Sequence, residues 1–253
     1  METRLEAPEQ EPRYVLGPDG EIHLAGVSRA FARRNAAPVA ALADVSLGVA
    51  AGETVAVVGP SGCGKTTLLE LVCGLQEPDS GTVRAAPAVL MPQRDLLLPW
   101  LNAIDNAALA LRVAGASRAE ARERAHPLFA DFGLEGFERA RPGELSGGMR
   151  QRVAFLRTLL SGKPVLCLDE PFGALDALTR REMQTWLADA LRREPRTVLL
   201  VTHDVEEAAA LADRVLVMSP RPGRVVAELP VPTARAPEDL LAIRERAIEA
   251  LRP

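Results

Sequence analysis

Cysteine and lysine are both scarce in this chain, and their scarcity limits what kind of protein it can be. The 253 residues contain three cysteines, Cys63, Cys73 and Cys167. Their number is odd and none of them has C-x-x-C spacing, so the sequence predicts neither a disulfide framework nor a zinc site. Lysine occurs only at Lys65 and Lys163, and arginine supplies the other basic side chains.

The sequence also lacks long apolar runs and an excess of positive charge. No run approaches the roughly 20 apolar residues that a transmembrane helix needs. Residues Met1–Gly20 carry Glu and Pro where a signal peptide needs an apolar centre, so we expect a cytoplasmic chain. A net charge of −4 offers no global basic field for nucleic acid, and a hydrophobic content of 47% predicts a globular protein.

The stretch Gly59–Thr67 matches the phosphate-cradling pattern G-x-x-x-x-G-K-[ST] at every fixed position. Its glycines let backbone N–H groups turn inward, and the helix that follows adds a positive N-terminal end. Lys65 is expected to neutralise the β and γ phosphates, and the Thr66 hydroxyl to hold Mg²⁺. The predicted nucleotide contacts are Gly59, Pro60, Ser61, Gly62, Cys63, Gly64, Lys65, Thr66 and Thr67.

Three further stretches place polar residues where strands end or a helix begins. Residues 165–170 form an apolar strand ending in Asp169 and Glu170, an arrangement that can deliver one acid to Mg²⁺ and one to a hydrolytic water. Gln93 follows a short predicted strand and could reach Mg²⁺ or water, although a solvated loop residue remains the alternative. Ser146 is placed to cap a helix that starts with Gly147 and Gly148, and two glycines there invite an anion.

Phe31 lies in a segment of Arg and Ala, and two interpretations of it stay open. An exposed aromatic ring there could stack on a nucleotide base, or the ring could pack on the sheet. His126, in the second helix of the 101–133 region, is interpreted as a solvated or packing residue.

In this order, these motifs resemble an ATP-binding-cassette (ABC) ATPase, whose signature motif the stretch Leu145–Arg152 reproduces. The resemblance runs from about Glu21 to Leu229. Three short segments further resemble one branch of this family, the ATPases of nitrate, sulfonate, taurine and thiamine-pyrimidine-precursor importers. These segments are residues 98–100, 176–180 and 219–224.

The resemblance implies roles for named residues. Phe31 would stack on adenine, Thr66, Asp169 and Gln93 would serve Mg²⁺, and Glu170 would act as the base. His203 resembles the family's switch histidine, which, like Gln93, would sense the γ-phosphate. The ATP sites would lie in a head-to-tail pair, where Ser146, Gly147 and Gly148 of one copy and the loop around Asp176 complete the site of the other.

The resemblance also implies a fold and partners. We expect an α/β P-loop NTPase cassette with an antiparallel β subdomain and a helical insert at about 96–144, all within residues 21–230. A loose tail over 1–20 and a peripheral C-terminal helix over 231–253, starting at Pro237, complete the chain. Because the pore must be another polypeptide, transmembrane permease subunits and an extracytoplasmic substrate-binding protein are expected partners, with the chain on the inner face of the membrane.

Two alternatives belong to other classes of protein. One is a non-transport ABC ATPase acting on nucleic acid or the ribosome, but such relatives carry two cassettes or a coiled-coil insert, and this chain has one cassette and no sustained heptads. The other is a module that binds ATP without hydrolysing it, which the presence of Glu170 and His203 disfavours.

Overall fold

Two β-sheets with a helix between them form the framework of the computed structural model, which describes residues 14–17, 20–34, 36–173, 175–233 and 237–252. The first sheet has four strands in the order β1-β5-β2-β3. Its strands are β1 (Tyr14–Leu16), β2 (Ile22–Arg33), β3 (Ala36–Val49) and β5 (Ser80–Ala85). β2 pairs antiparallel with both β3 and β5, whereas β1 pairs parallel with β5.

This antiparallel sheet is larger than the sequence indicated. The residue pattern predicts strands over 21–27 and 44–50, but in the structure β2 continues to Arg33 and β3 begins at Ala36. Tyr14–Leu16 were assigned to the loose tail and instead form an edge strand; residues 1–13, 18 and 19 of that tail lie outside the described residues.

The second sheet has six strands in the order β10-β9-β4-β8-β7-β6. Five of them run parallel: β9 (Arg214–Met218), β4 (Thr54–Val58), β8 (Thr197–Thr202), β7 (Val165–Asp169) and β6 (Ala88–Met91). β10 (Val225–Pro230) returns antiparallel at the edge. All residues of β4, β7 and β8 are buried, as expected for parallel strands covered on both faces.

The side chains of the central strands alternate between two apolar cores. Val55 and Val57 of β4 pack with α1 (Lys65–Val72) and the antiparallel sheet. Ala56 and Val58 face the opposite core, which the remaining helices cover. α1 therefore lies between the two sheets, and its first turn stands where β4 ends.

The region between β6 and β7 is mostly helical, as expected for the insert. It contains α2 (Ala103–Ala107), α3 (Leu109–Val113), α4 (Arg118–Asp131), a 3₁₀ turn (Pro142–Glu144) and α5 (Gly147–Leu159). Ser117 and Glu120 form a capping box at the start of α4. α2 packs against α4 and α5, so the insert shares the apolar core on the outer face of the parallel sheet.

Three helices complete the fold: α6 (Ala177–Arg193), α7 (Val205–Leu211) and α8 (Pro237–Ala250). The expectation that the C-terminal helix is peripheral was wrong in one respect. Ile243 and Ala247 of α8 are buried in the core, where the helix packs on α7 and β10. Within the described ranges, no helix is long and apolar enough to cross a bilayer.

Candidate active site

Four parallel strands end around one cleft of about 530 Å³. β4 leads into the phosphate loop, β6 into Gln93, β7 into Glu170 and β8 into His203. Because parallel strands present their carboxyl ends at the same edge of a sheet, residues far apart in sequence meet there. The cleft is lined by Phe31, Val39, Ala41, Ser61, Gly62, Gly64, Lys65, Thr66, Thr67, Gln93, Asp169, Glu170, His203 and Arg221.

The phosphate loop wraps around the ammonium group of Lys65, which is only 7% exposed. Lys65 Nζ donates to the carbonyl oxygens of Gly59 at 2.7 Å and Pro60 at 3.2 Å. Gly64 caps α1 with φ +110°, and a Cβ there would lie 2.7 Å from the Ala41 carbonyl oxygen. Glycine is therefore required at this position both by backbone conformation and by the close approach of β3.

Three of the nine predicted loop contacts do not line the cleft. The carbonyl oxygens of Gly59 and Pro60 accept hydrogen bonds from Lys65 Nζ, so these two residues stabilise the loop and do not face the cleft. The Cys63 side chain is 1% exposed and packs in the inner core, while its N–H donates to the Pro60 carbonyl at 3.3 Å.

Thr66 and Asp169 form an oxygen-rich pair at the floor of the cleft. The Thr66 hydroxyl donates to Asp169 Oδ2 at 2.9 Å. Burial raises the pKa of the Asp169 carboxyl, and the charges of Glu170 and Glu70 raise it further, while the Thr66 hydrogen bond and the Lys65 charge oppose them. A buried carboxylate with this raised pKa is one that a bound cation would stabilise in its charged form.

Glu170 is held between Gln93 and His203. Gln93 Nε2 donates to Glu170 Oε2 at 2.9 Å, and His203 Nδ1 lies 3.2 Å from Glu170 Oε1. Glu170 adopts φ +46°, a left-handed conformation that non-glycine residues rarely take, and its N–H donates to the Val201 carbonyl at 2.8 Å. Strain of this kind, about 1–3 kcal/mol, is found where function requires a particular side-chain direction.

Phe31 lies on β2, lines the same cleft and is 38% exposed. The Arg29 guanidinium carbon lies 5.3 Å from the ring centroid, which fixes the ring from one side. Val39 and Ala41 of β3 line the cleft beside it. Phe31 therefore presents a partly exposed ring to the cleft, and its stacking on a base stays a prediction.

Four predicted contacts do not reach this cleft within one chain: Ser146, Gly147, Gly148 and Asp176. Ser146 caps α5, where its hydroxyl accepts from Met149 N at 3.2 Å. Asp176 caps α6 and accepts from the N–H groups of Leu178 and Thr179. Both caps are exposed at the surface, so a second molecule could contact them.

Sequence reasoning missed Arg221, which lines the cleft from the loop after β9. Residues that follow parallel strands lie together at one edge of the sheet, and Gln93 and His203 are two of them. β9 is also a parallel strand that ends at this edge, so the same reasoning could have pointed to Arg221.

The side chains present fit a magnesium ion bound together with a nucleotide. Mg²⁺ prefers hard oxygen ligands and is usually held by one or two protein oxygens plus phosphates. Thr66 and Asp169 supply such oxygens beside Lys65. In the part of the chain that the structure describes, no group of three or more His, Cys, Asp or Glu residues could hold a metal ion by itself.

Comparisons with known proteins agree with this geometry. A family model described as ABC transporter matches residues 42–173. The taurine import ATP-binding protein TauB of Burkholderia pseudomallei is 47% identical over 218 residues, which cover 83% of this chain and 84% of that protein. The aliphatic sulfonates import ATP-binding protein SsuB 1 of Rhodococcus jostii is 49% identical, with 77% and 78% covered.

A third relative and a solved structure add to these matches. The formylaminopyrimidine import ATP-binding protein ThiZ of Halalkalibacterium halodurans is 44% identical, with 80% of this chain and 82% of that protein covered. The dimeric, post-hydrolysis structure of the ATP-binding cassette MJ0796 with ADP and Pi superposes with a TM-score of 0.76 at 29% identity. That match covers 83% of this chain and 99% of the other.

Proposed function

The chain belongs to the ABC transporter family, and on that premise we propose that it is the ATP-hydrolysing subunit of an importer for a small solute. The observation that carries the proposal is Glu170, held between Gln93 and His203 at the mouth of a cleft that also contains Lys65 and Asp169. A module that only stores ATP has no need of a carboxylate fixed beside the phosphate loop in a strained conformation.

Each group has a proposed task in binding. Lys65 and the loop N–H groups bind the β and γ phosphates, and Phe31 stacks on the adenine. Thr66 and Asp169, with Gln93 at the edge, would hold Mg²⁺. When bound, Mg²⁺ neutralises charge on the transferred phosphoryl group and its oxygens.

Glu170 is the proposed base in hydrolysis. Its carboxylate takes a proton from the attacking water as the water oxygen bonds to the γ-phosphorus and the bond to ADP breaks. Gln93 and His203 position the carboxylate and sense the γ-phosphate. Because each oxygen of Glu170 has one polar neighbour, the orientation of the base is fixed by the protein itself.

The site is incomplete in one chain, since Ser146, Gly147, Gly148 and Asp176 lie outside the cleft. We propose that they meet the nucleotide of a second, head-to-tail copy. The dimeric MJ0796 cassette, with ADP and Pi bound, supports this arrangement.

The further partners follow from the relatives. Import ATP-binding proteins for taurine, aliphatic sulfonates and formylaminopyrimidine align over more than three quarters of the chain. We propose that this chain likewise works with transmembrane permease subunits, on the cytoplasmic face of the membrane, and that a substrate-binding protein delivers a small solute of this general kind.

Two substitutions at the end of β7 test the division of labour. Glu170→Gln keeps the shape of the site but removes the base, so ATP should still bind while hydrolysis falls by about 10²–10⁴. ATP should then accumulate a stable dimer, visible by size-exclusion chromatography. Asp169→Asn should weaken Mg²⁺-dependent nucleotide binding and trap no dimer, because an amide is a poor Mg²⁺ ligand.

Glu135 is an exposed residue, so Glu135→Gln is the control that makes the same chemical change away from the site. This variant should retain the parent rate of hydrolysis. Parent-rate hydrolysis by Glu170→Gln, or the same trapped dimer from both variants, would contradict the assigned roles.

A further inference from the structure

The loop that connects β9 to β10, residues 219–224, lies directly beside the phosphate loop. β9 and β4 are parallel neighbours, with Val58 opposite Val217. The residues that follow the two strands therefore emerge side by side. We call this segment the β9–β10 loop.

Backbone contacts fix the β9–β10 loop in place. The Gly223 N–H donates to the Ala41 carbonyl at 2.9 Å, and the Ala43 N–H donates to the Gly223 carbonyl at 3.0 Å. A Cβ at Gly223 would lie 2.1 Å from the Cys63 carbonyl oxygen, so only glycine permits this approach. The loop is thus anchored at once to β3 and to the phosphate loop, and its side chains have a defined position relative to the cleft.

Arg221 uses this position to lie over the phosphate loop. Its Nε donates to the Gly62 carbonyl oxygen at 2.9 Å. A Cβ at Gly62 would lie 2.8 Å from Arg221 Nη2, so the guanidinium occupies the space that any other residue at Gly62 would fill. Within the described ranges, the two terminal nitrogens of Arg221 make no hydrogen bond.

The charges that line the cleft suggest what the terminal nitrogens of Arg221 bind. Asp169 and Glu170 bring two negative charges to a site that must accept a polyanion, and Lys65 contributes one positive charge to the same cleft. A planar guanidinium with unused N–H groups is suited to bind phosphate oxygens in pairs.

We infer that Arg221 is a further phosphate-binding residue, whose Nε fixes Gly62 while its terminal nitrogens bind the phosphates of the nucleotide. This inference rests on the proposed ATP-binding function and adds to it a residue from outside the nucleotide motifs.

The chain provides a matched control in Arg224. It lies in the same loop and is exposed, but its side chain does not line the cleft. Arg224→Ala removes the same charge from the same loop, so a difference between the two alanine variants reports the position of Arg221 at the cleft and not the loss of charge alone.

The test measures MgATP binding to the full chain by titration calorimetry, with thermal unfolding of each nucleotide-free variant as the folding control. Arg221→Ala should weaken binding by about 10- to 100-fold, the usual cost of a lost charged hydrogen bond. Arg224→Ala should stay within about twofold of the parent, because exposed charges without contacts contribute little.

Two more substitutions at Arg221 separate phosphate binding from loop support. Lysine keeps the charge and should restore much of the affinity, whereas glutamine keeps only a donor for Gly62 and should bind as weakly as alanine. Parent affinity in Arg221→Ala, or equal rescue by glutamine and lysine, would overturn the inference and leave the proposed function standing. A parent chain that bound no MgATP would overturn the proposed function itself.

Discussion

Glu207 on α7 is the buried acid whose charge state should matter most for stability. It is 5% exposed, and its Oε1 makes no hydrogen bond with the described residues. The pKa of its carboxyl is raised to about 7, mainly by burial and also by the Asp204 charge, while a Thr202 hydrogen bond and the charges of Arg180 and His203 act in the opposite direction. The side chain is thus held partly protonated near neutral pH, close behind the predicted switch histidine.

This raised pKa predicts a pH dependence of defined sign. In the unfolded chain Glu207 ionises near 4.5, and in the folded chain near 7. Between these values the folded state binds more protons, so the free energy of unfolding should fall as pH rises from about 4.5 to 7 and level off above. Glu207→Gln should remove this component and stabilise the protein at pH 8 by up to about 3 kcal/mol.

Urea unfolding of parent and variant at pH 5 and pH 8 measures the effect. Glu206→Gln on the same helix is the control, because Glu206 is exposed and pairs with Arg244 at the surface; it should leave the pH dependence unchanged. An unaltered slope in Glu207→Gln would show that the carboxyl is ionised in the folded protein.

The site residues show which positions a sequence can predict. Gln93, Glu170 and His203 were assigned from motifs at strand ends, and the parallel sheet brings all three together. Arg221 was missed although it follows a parallel strand that ends at the same edge, and its contact with the backbone of Gly62 is visible only in the structure.

At the scale of elements, α2 and α4 are joined by a shared carboxylate. Asp105 on α2 accepts hydrogen bonds from Arg118 and Arg122 on α4, with the closest contacts at 2.6 and 2.7 Å. Hydrogen bonding by Arg122, and then by Arg118, lowers the pKa of the Asp105 carboxyl far below its usual range, against the effect of burial. The pair of arginines thus fixes the angle between two short helices.

Asp105→Asn should loosen the helical insert selectively. Losing the charge leaves two arginines facing a weaker acceptor, and we expect a loss of roughly 2 kcal/mol. Limited trypsin digestion should cut at Arg118 and Arg122 faster than in the parent, while MgATP affinity should stay the same.

Asp131→Asn, an exposed acid on α4, is the control and should digest like the parent. The contribution of Asp105 should be present above about pH 4 and disappear as pH falls toward its lowered pKa, because protonation removes the ion pairs. Unchanged digestion of Asp105→Asn at neutral pH would show that apolar packing alone holds α2 to α4.

Element boundaries were predictable where local chemistry sets them. Ser146 caps the helix that the sequence assigned to it, and Ser117 and Asp176 cap α4 and α6 in the same way, because each supplies a side-chain oxygen to free N–H groups. The β2–β3 hairpin was underestimated, since its outer half is rich in Ala and Arg, which have no strong strand preference. Pairing between the two strands overrides that local composition.

At the scale of the whole molecule, the divided site predicts complementation between two inactive chains. Lys65→Ala disables the phosphate loop. Gly147→Asp places a carboxylate where phosphate should bind, and a Cβ there has room, with its nearest neighbour Arg150 Nη2 at 3.8 Å. In a head-to-tail pair of the two variants, one site keeps both an intact loop and an intact signature.

Mixed in equal amounts, the variants should recover about a quarter of the parent ATPase rate per subunit, since half of the random dimers are mixed and each has one good site. Each variant alone measures the background. A mixture no more active than its components would mean that both halves of the site belong to one chain.

The order of strands in the parallel sheet has a consequence for how the protein is made. β4 pairs only with β8 and β9, so the Thr54 N–H reaches its acceptor, Asp213 Oδ2, across a separation of 159 residues. At translation rates of 5–20 residues per second, roughly 10–30 s pass between the synthesis of β4 and the synthesis of β9. During this time the apolar strand β4 has no complete set of pairing partners. A nascent or truncated chain that ends before β9 also lacks Arg221 and the loop that anchors the cleft. Nucleotide binding is therefore a late event in synthesis, and the capacity to bind ATP marks a chain in which β9 and the loop after it have been made.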